Sequence, residues 1–203
     1  MFTLKNVNFK SIVSYPDIEI QRGCATFICG ESGSGKSTLL KLLSGVATAD
    51  AGEILYNSKP VAGYDPVMLR REVLLCGQST FLFDGDIKEN FTNYYEYRDL
   101  PPISEEDMQK YLKICAANFP LDTDCTTMSG GERQRVFISI CLSLSPRVLL
   151  LDEPTSALDD DTAVAVLTNI KDFCFNTGIT LIIVSHNKKL VRSHADCTIT
   201  LGD

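Results

Sequence analysis

Three absences narrow the class of this chain before any motif is read. No apolar run approaches the ~18 residues of a membrane span, so any membrane role has to come through a partner. There is no basic excess: 19 Lys and Arg stand against 26 Asp and Glu, a formal net charge of −7, which argues against a nucleic-acid surface. Nor is there a C-x-x-C pair among the eight cysteines, Cys24, Cys29, Cys76, Cys115, Cys125, Cys141, Cys174 and Cys197. Their spacing refuses a zinc or disulfide framework, and small hydrophobes in a reducing compartment is the expectation. The segment Met1 to Val7 has no cationic stretch leading into an apolar one, so no signal peptide is expected. Internal repeats, low-complexity tracts and linkers are also missing. What remains is an ordinary globular composition, 44% hydrophobic and 22% charged. The length suits one domain that buries roughly 70% of its unfolded surface.

Against these absences stands one dense motif, Gly30-Glu31-Ser32-Gly33-Ser34-Gly35-Lys36-Ser37-Thr38. It fits the phosphate-loop pattern G-x-x-x-x-G-K-[ST], with Gly33 as an extra glycine. The apolar run 25–29 before it reads as a buried strand. Leu39, Leu40, Leu42 and Leu43 after it recur at helical spacing and stop at Gly45. Glycines let the backbone wrap round an anion, and N–H groups at the helix start point at phosphates. Lys36 is expected on the terminal phosphates and the Ser37 hydroxyl on Mg²⁺.

Elsewhere the pattern alternates strands and helices. Strands are expected over 2–7, 15–20, 53–56, 73–76, 148–152, 179–184 and 197–201, and helices over 162–175 and 187–194. Between Ser79 and about Met128 strand runs vanish. Residues 90–97 are polar and aromatic, Pro101-Pro102 breaks the chain, and Ser104 looks like the cap of a helix carrying Met108, Tyr111, Leu112 and Cys115. This reads as a helical insertion in an α/β core with a largely parallel sheet. The run Val148 to Glu153 ends in two carboxylates. Asp152 suits Mg²⁺ and Glu153 suits general-base work on a water, although acidic strand ends are also common as solvated pairs.

Met128-Ser129-Gly130-Gly131-Glu132-Arg133-Gln134-Arg135 opens a second helix with an anion-binding start. This stretch resembles the signature motif of ATP-binding-cassette ATPases, with Glu132 where many members have Gln and Met128 where many have Leu. Gln78 matches the family's Q-loop, Ser156-Ala157-Leu158-Asp159 its D-loop, and Ser185-His186 its switch histidine. The resemblance covers essentially the whole chain. It implies an α/β P-loop NTPase (RecA-like) fold with an antiparallel β subdomain. The single domain 1–203 would comprise a nucleotide-binding core, 1–78 and 131–203, and a helical signature subdomain, 79–130.

The resemblance also implies ATP and Mg²⁺ as cofactors. The phosphate loop from Gly30 to Thr38, together with Ser129, Gly130, Gly131, Glu132 and Asp159, is expected to bind nucleotide across two chains packed head to tail. Glu153, His186 and Gln78 carry the catalytic roles, and Ser37, Gln78 and Asp152 the metal. For the adenine-stacking aromatic, Phe9 is the nearest candidate and Tyr15 the next, in a segment that looks a few residues short for the family. Asn187-Lys188-Lys189-Leu190 lacks the aspartate of a guanine-reading N-K-x-D, so a GTPase gains no support.

Residues 81–91 resemble the segment of exporter cassettes that meets the membrane subunit, with Asp86 replacing the usual Thr. The implied protein is the ATPase subunit of a membrane ABC transporter, cytoplasmic and peripheral on the membrane. Its permease would be encoded separately, its second cassette would be another copy of itself, and no nucleic acid would be involved. The compact chain is similar to small bacterial iron or metal exporter subunits. A soluble cassette such as an iron–sulfur assembly ATPase is the alternative.

Overall fold

The computed structural model describes residues 1–202. Its first layer is an antiparallel sheet built from β1 (Phe2–Phe9), β2 (Val13–Ser14), β3 (Ile18–Ile20), β5 (Ala51–Tyr56) and β6 (Lys59–Pro60). β1 alternates inward Phe2 and Leu4 with outward Thr3 and Lys5 and pairs with both β3 and β5. The strand expected over 15–20 is shorter than its alternation suggested. It begins at Ile18, after Pro16, which has no N–H to give a ladder.

The second layer is a wholly parallel sheet of β4 (Ala25–Gly30), β7 (Val73–Cys76), β8 (Val148–Asp152), β9 (Thr180–Val184) and β10 (Cys197–Leu201). Its spatial order is β10-β4-β9-β8-β7. The three middle strands are continuous apolar runs because both faces are covered, as parallel sheets require. Phe27, Leu149, Leu151, Leu181 and Ile183 enter one core, and Ile28, Leu150, Ile182 and Val184 the other. α1 (Lys36–Leu43) lies in the second core, between the two sheets.

Around the parallel sheet stand α2 (Pro66–Glu72), α3 (Ile87–Glu96), α4 (Glu105–Ile114), α5 (Gly130–Ser143), α6 (Asp160–Thr177) and α7 (Lys188–His194). α5 is buried on every side from Val136 to Ser143, with α3, α4 and β7 against it. That is why it lacks a clear amphipathic stripe in the sequence. α4 starts as expected, with the Ser104 hydroxyl accepting the Asp107 N–H.

α2 and α3 were not anticipated from the sequence. α3 occupies the stretch read as polar and aromatic, and its start is well specified. Asp86 accepts the Glu89 N–H at 2.7 Å while Glu89 accepts the Asp86 N–H at 3.0 Å, a reciprocal capping box. Aspartate and threonine both cap helices, which accounts for Asp86 in place of the family's usual Thr. Asn90, fully buried, fastens the preceding loop by bonding Phe83 N, Phe83 O and Asp86 O. No helix among the described residues is long and apolar enough to cross a membrane.

The cysteines divide. Cys76, Cys115, Cys125, Cys141 and Cys174 are buried as small hydrophobes. Cys29 is half-buried and packs against the same core, whereas Cys24 is half-buried outside it and Cys197 is exposed, so the expectation fails for those two. All eight are free thiols.

Candidate nucleotide site

The phosphate loop leaves the C-terminal end of β4 and feeds α1, and its glycines are there for steric reasons. Gly30 has φ 143°, and a Cβ on it would stand 2.2 Å from the Leu201 carbonyl oxygen on neighbouring β10. Gly35, at φ 90°, caps α1; a Cβ there would meet Val13 Cγ1 at 2.7 Å and the Tyr15 hydroxyl at 2.9 Å. No side chain caps α1 and its first turn holds no acid, so the N–H groups at its start are left for a ligand. Lys36 is buried, and its Nζ donates to Gly30 O at 3.0 Å and Glu31 O at 2.5 Å. The ammonium is thus held over the loop.

A cavity of about 330 Å³ opens beside this loop. Ser32, Gly33, Gly35, Lys36, Ser37 and Thr38 form one wall, Gln78, Glu153 and His186 another, and Phe9, Ile12 and Val13 the rim. A larger hollow of about 570 Å³ lies between α1, β5 and α2, but its walls are mostly apolar and bring no cluster of charged groups together.

Asp152 lies beside Ser37 at the end of β8, buried. Burial pushes its pKa above the ordinary carboxylate value, and the neighbouring Ser37 hydroxyl opposes that. Its Oδ1 has no hydrogen-bond partner in the protein. A buried carboxylate oxygen without a partner calls for a cation, and hydroxyl plus carboxylate are hard oxygen donors of the kind Mg²⁺ takes alongside phosphate oxygens. Among the described residues no cluster of three or more His, Cys, Asp or Glu could hold a metal alone. The donor set therefore suits a cation that arrives with a polyphosphate.

Glu153 follows in a left-handed backbone conformation, φ 53°, which costs a non-glycine residue roughly 1–3 kcal/mol. The strain is held by its N–H on Val184 O at 3.0 Å and by Gln134 Nε2 donating to its carbonyl at 3.4 Å. The result is a carboxylate aimed into the cavity, with His186 Nε2 3.0 Å from Glu153 Oε1. Asp152 pairs with Val184 in the β8–β9 register, so Glu153 and His186 leave adjacent strand ends side by side.

Phe9 lines the rim, half-buried, with Lys10 Nζ 5.5 Å from its ring centroid. Tyr15 does something else: it is buried, and its hydroxyl donates to Gly35 O at 2.9 Å. Burial raises its phenol to about 12. Tyr15 braces the loop from beneath, which corrects its reading as a second stacking candidate. Ile12 and Val13 line the same rim and were missed, because two adjacent aliphatics in a short loop show no periodicity that marks a binding site.

The remaining expected residues do not line this cavity. Ser129 caps α5 and is exposed; its N–H and hydroxyl both donate to Glu132 Oε2, at 2.8 and 2.7 Å. Gly131 packs where a Cβ would lie 3.0 Å from Ala157 Cβ, so the start of α5 rests on the 156–159 turn. Asp159, exposed, caps α6 by accepting the Thr162 N–H at 3.0 Å. This bond and one to the Thr162 hydroxyl hold its carboxyl below the usual range.

A phosphate loop at the carboxyl end of a parallel sheet, with an unpartnered carboxylate and a Glu–His pair across the cavity, defines a P-loop nucleotide-binding domain. Residues 14–156 match the family described as ABC transporter. The chain belongs to the ABC transporter family, whose ATP-binding domains bind ATP with Mg²⁺ and hydrolyse it to drive transport.

Among its relatives is the probable iron export ATP-binding protein FetA of Escherichia coli. The two are 31% identical over 98% of this chain and 84% of that protein. The probable amino-acid import ATP-binding protein YxeO of Bacillus subtilis is 34% identical over 100% and 86%. Rice STAR1 is 32% identical over 92% of this chain, which spans only 55% of that protein. A bacterial Atm1-family ABC exporter with ATP bound superposes with a TM-score of 0.86 at 27% identity. The match covers 99% of this chain and 36% of the exporter chain.

Proposed function

We propose that this chain is the ATPase cassette of a membrane transporter, acting as a head-to-tail pair that closes on two ATP molecules and opens on hydrolysis. The observation that carries this is the separation of two anion-ready helix starts. Lys36 and Ser37 share one cavity with Glu153 and His186, whereas Ser129 and Gly130 stand outside it on an exposed surface. A second chain brings its Ser129-Gly130 helix start to the γ-phosphate, and its Asp159 reaches across the same seam. Within one site, the 30–38 loop binds the phosphates and Phe9 stands beside the base. Ser37, Gln78 and Asp152 hold Mg²⁺, which neutralises phosphate charge. Glu153 takes a proton from the attacking water, and His186 keeps that carboxylate and the γ-phosphate in register.

In this reading residues 1–78 and 131–203 form the core and 79–130 the helical subdomain. The chain is cytoplasmic, held at the membrane by a separately encoded permease. Exposed Val67, Met68, Phe81 and Tyr97 beside Arg70, Arg71 and Arg98 offer that permease an apolar face with a basic rim. The proposed direction is export, with a metal ion as substrate class. Support comes from the likeness of residues 81–91 to exporter cassettes, since relatives named for export and for import are about equally similar.

Mixing two inactive variants tests the shared site. Lys36→Ala and Ser129→Arg each spoil both sites of a homodimer. A mixed dimer keeps one intact site of two, and about half of randomly paired dimers are mixed, so phosphate release should recover to about a quarter of the parental rate. Activity in either variant alone, with nothing gained on mixing, would mean that each chain hydrolyses ATP by itself.

A further inference from the structure

Two of the eight cysteines stand on neighbouring chain segments, outside the buried core, at the end of the parallel sheet opposite the nucleotide site. Ala25 and Asp196 exchange hydrogen bonds: Asp196 N–H donates to Ala25 O at 2.9 Å, and Ala25 N–H to Asp196 Oδ2 at 2.8 Å. Lys171 Nζ holds the other carboxylate oxygen at 2.7 Å. This clasp fastens the start of β10 to the start of β4, and a cysteine flanks it on each strand, Cys24 before Ala25 and Cys197 after Asp196. Cys197 pairs with Thr26 in the parallel register, and Cys24 stands two residues ahead of Thr26, just before β4 begins.

We propose that Cys24 and Cys197 form a reversible disulfide site, closed by low-molecular-weight disulfides such as oxidised glutathione, which staples edge strand β10 to the phosphate-loop strand. The exposed Cys197 thiolate attacks one sulfur of oxidised glutathione, forming a mixed disulfide and releasing one glutathione thiolate. The Cys24 thiolate then attacks the Cys197 sulfur and releases the second glutathione. The protein loses two protons and two electrons, and one oxidised glutathione becomes two reduced ones.

Cys24 suits the second step. It is half-buried, its thiol donates to Arg22 O at 3.8 Å, and it is raised by burial first, then by neighbouring Cys197 and Asp196; Lys171 pulls the other way. It is therefore a slow first attacker. Cys76 and Cys141 are also neighbours, but both are sealed in the core, where an exogenous disulfide has no access. β10 is the edge of the sheet, and its Leu201 carbonyl packs against Gly30 of the phosphate loop. A staple at the start of β10 thus secures the strand that backs the nucleotide site.

The test treats the folded chain with oxidised glutathione, blocks free thiols and maps the peptides without reduction. One cross-link, Cys24 to Cys197, is expected, reversed by dithiothreitol, with the five buried cysteines unmodified. Cys24→Ser should stop at a single glutathionyl adduct on Cys197, and Cys197→Ser should slow adduct formation at Cys24 at least about tenfold. The cross-linked chain should melt roughly 5 °C or more higher, because a long loop is closed in the unfolded state. The double variant, Cys24→Ser with Cys197→Ser, should keep the parental melting point with or without oxidant. Absence of the Cys24–Cys197 peptide in folded, oxidised protein would overturn the site, as would a cross-link at Cys76–Cys141 instead. A cross-link that leaves the melting temperature unchanged would overturn the staple.

Discussion

The starts of α1 and α5 are both built to face an anion, and they are finished in opposite ways. α1 opens on Gly35 with no side-chain cap and no acid in its first turn, and the buried Lys36 ammonium stands at its start. α5 opens on Ser129 with a closed capping box, so the Glu132 carboxylate already occupies the serine N–H and hydroxyl. The first start is ready for phosphate as the chain stands. The second is satisfied by its own acid, and an incoming phosphate has to displace or share that contact. On the proposed shared site the difference implies an order of events, in which one chain captures nucleotide on α1 and a partner's α5 engages afterwards.

The largest expected effect separates the two starts outright. Lys36→Ala should weaken ATP binding to the isolated chain on the order of 10- to 150-fold, the worth of a hydrogen bond to a charged group. Ser129→Arg should leave that affinity within about twofold, because a solvated side chain outside the cavity adds little. Titrating fluorescent ATP into each monomeric variant decides it; equal losses in both would abolish the distinction.

Phe9→Ala comes next and probes the rim beside α1. A stacking ring is worth roughly 1–3 kcal/mol, so affinity should fall about 5- to 150-fold. Tyr15→Phe, which removes only the hydroxyl on Gly35 O, should lower the melting temperature by a few degrees, on the order of one lost hydrogen bond. Unchanged affinity in folded Phe9→Ala would show that the rim aliphatics suffice.

Glu132→Gln sharpens the α5 side. Glutamine still closes a capping box, so melting should hardly move. Removing the negative charge from this helix start should strengthen ATP-driven pairing roughly two- to fivefold, read by sedimentation at fixed Mg-ATP. Weaker pairing would mean that the carboxylate helps engagement.

The smallest effect is a pH dependence. The Ser129 hydroxyl and N–H hold the Glu132 carboxyl below its ordinary value. A depressed carboxyl contributes stability above its unfolded value and loses it as pH falls through the folded one. Melting curves from neutral pH down through the carboxylate range should show that loss, and Ser129→Ala should flatten it. An unaltered acid limb in Ser129→Ala would place the titration elsewhere.

The two starts also mark how far sequence reading reached. Both were legible, because a glycine turn or a Ser-x-x-Glu opening is a local pattern with a local mechanism. The parallel strands were legible for the same reason: Val148 to Leu151 is apolar at every position because both faces are covered. α2 and α3 were not. Seven residues make too short a period for α2, and the aromatics of α3, Tyr94 and Tyr95 among them, serve packing and bonding to Phe81 O and Ser143 O that no spacing discloses.

By itself, then, the sequence determined the phosphate loop, the signature opening, the acidic end of β8 and the alternation that makes an α/β core. Each depends on residues within a few positions of one another. Only the tertiary structure decided that Glu153 meets His186, 33 positions later in the chain, because the parallel β8–β9 register sets Asp152 beside Val184 and brings both strand ends to one place. It alone turned Tyr15 from a stacking candidate into a brace under Gly35, and brought Cys197 on edge strand β10 to the start of β4, next to Cys24. Those contacts are selected by burial and strand register across the whole chain, and a linear pattern carries no record of either.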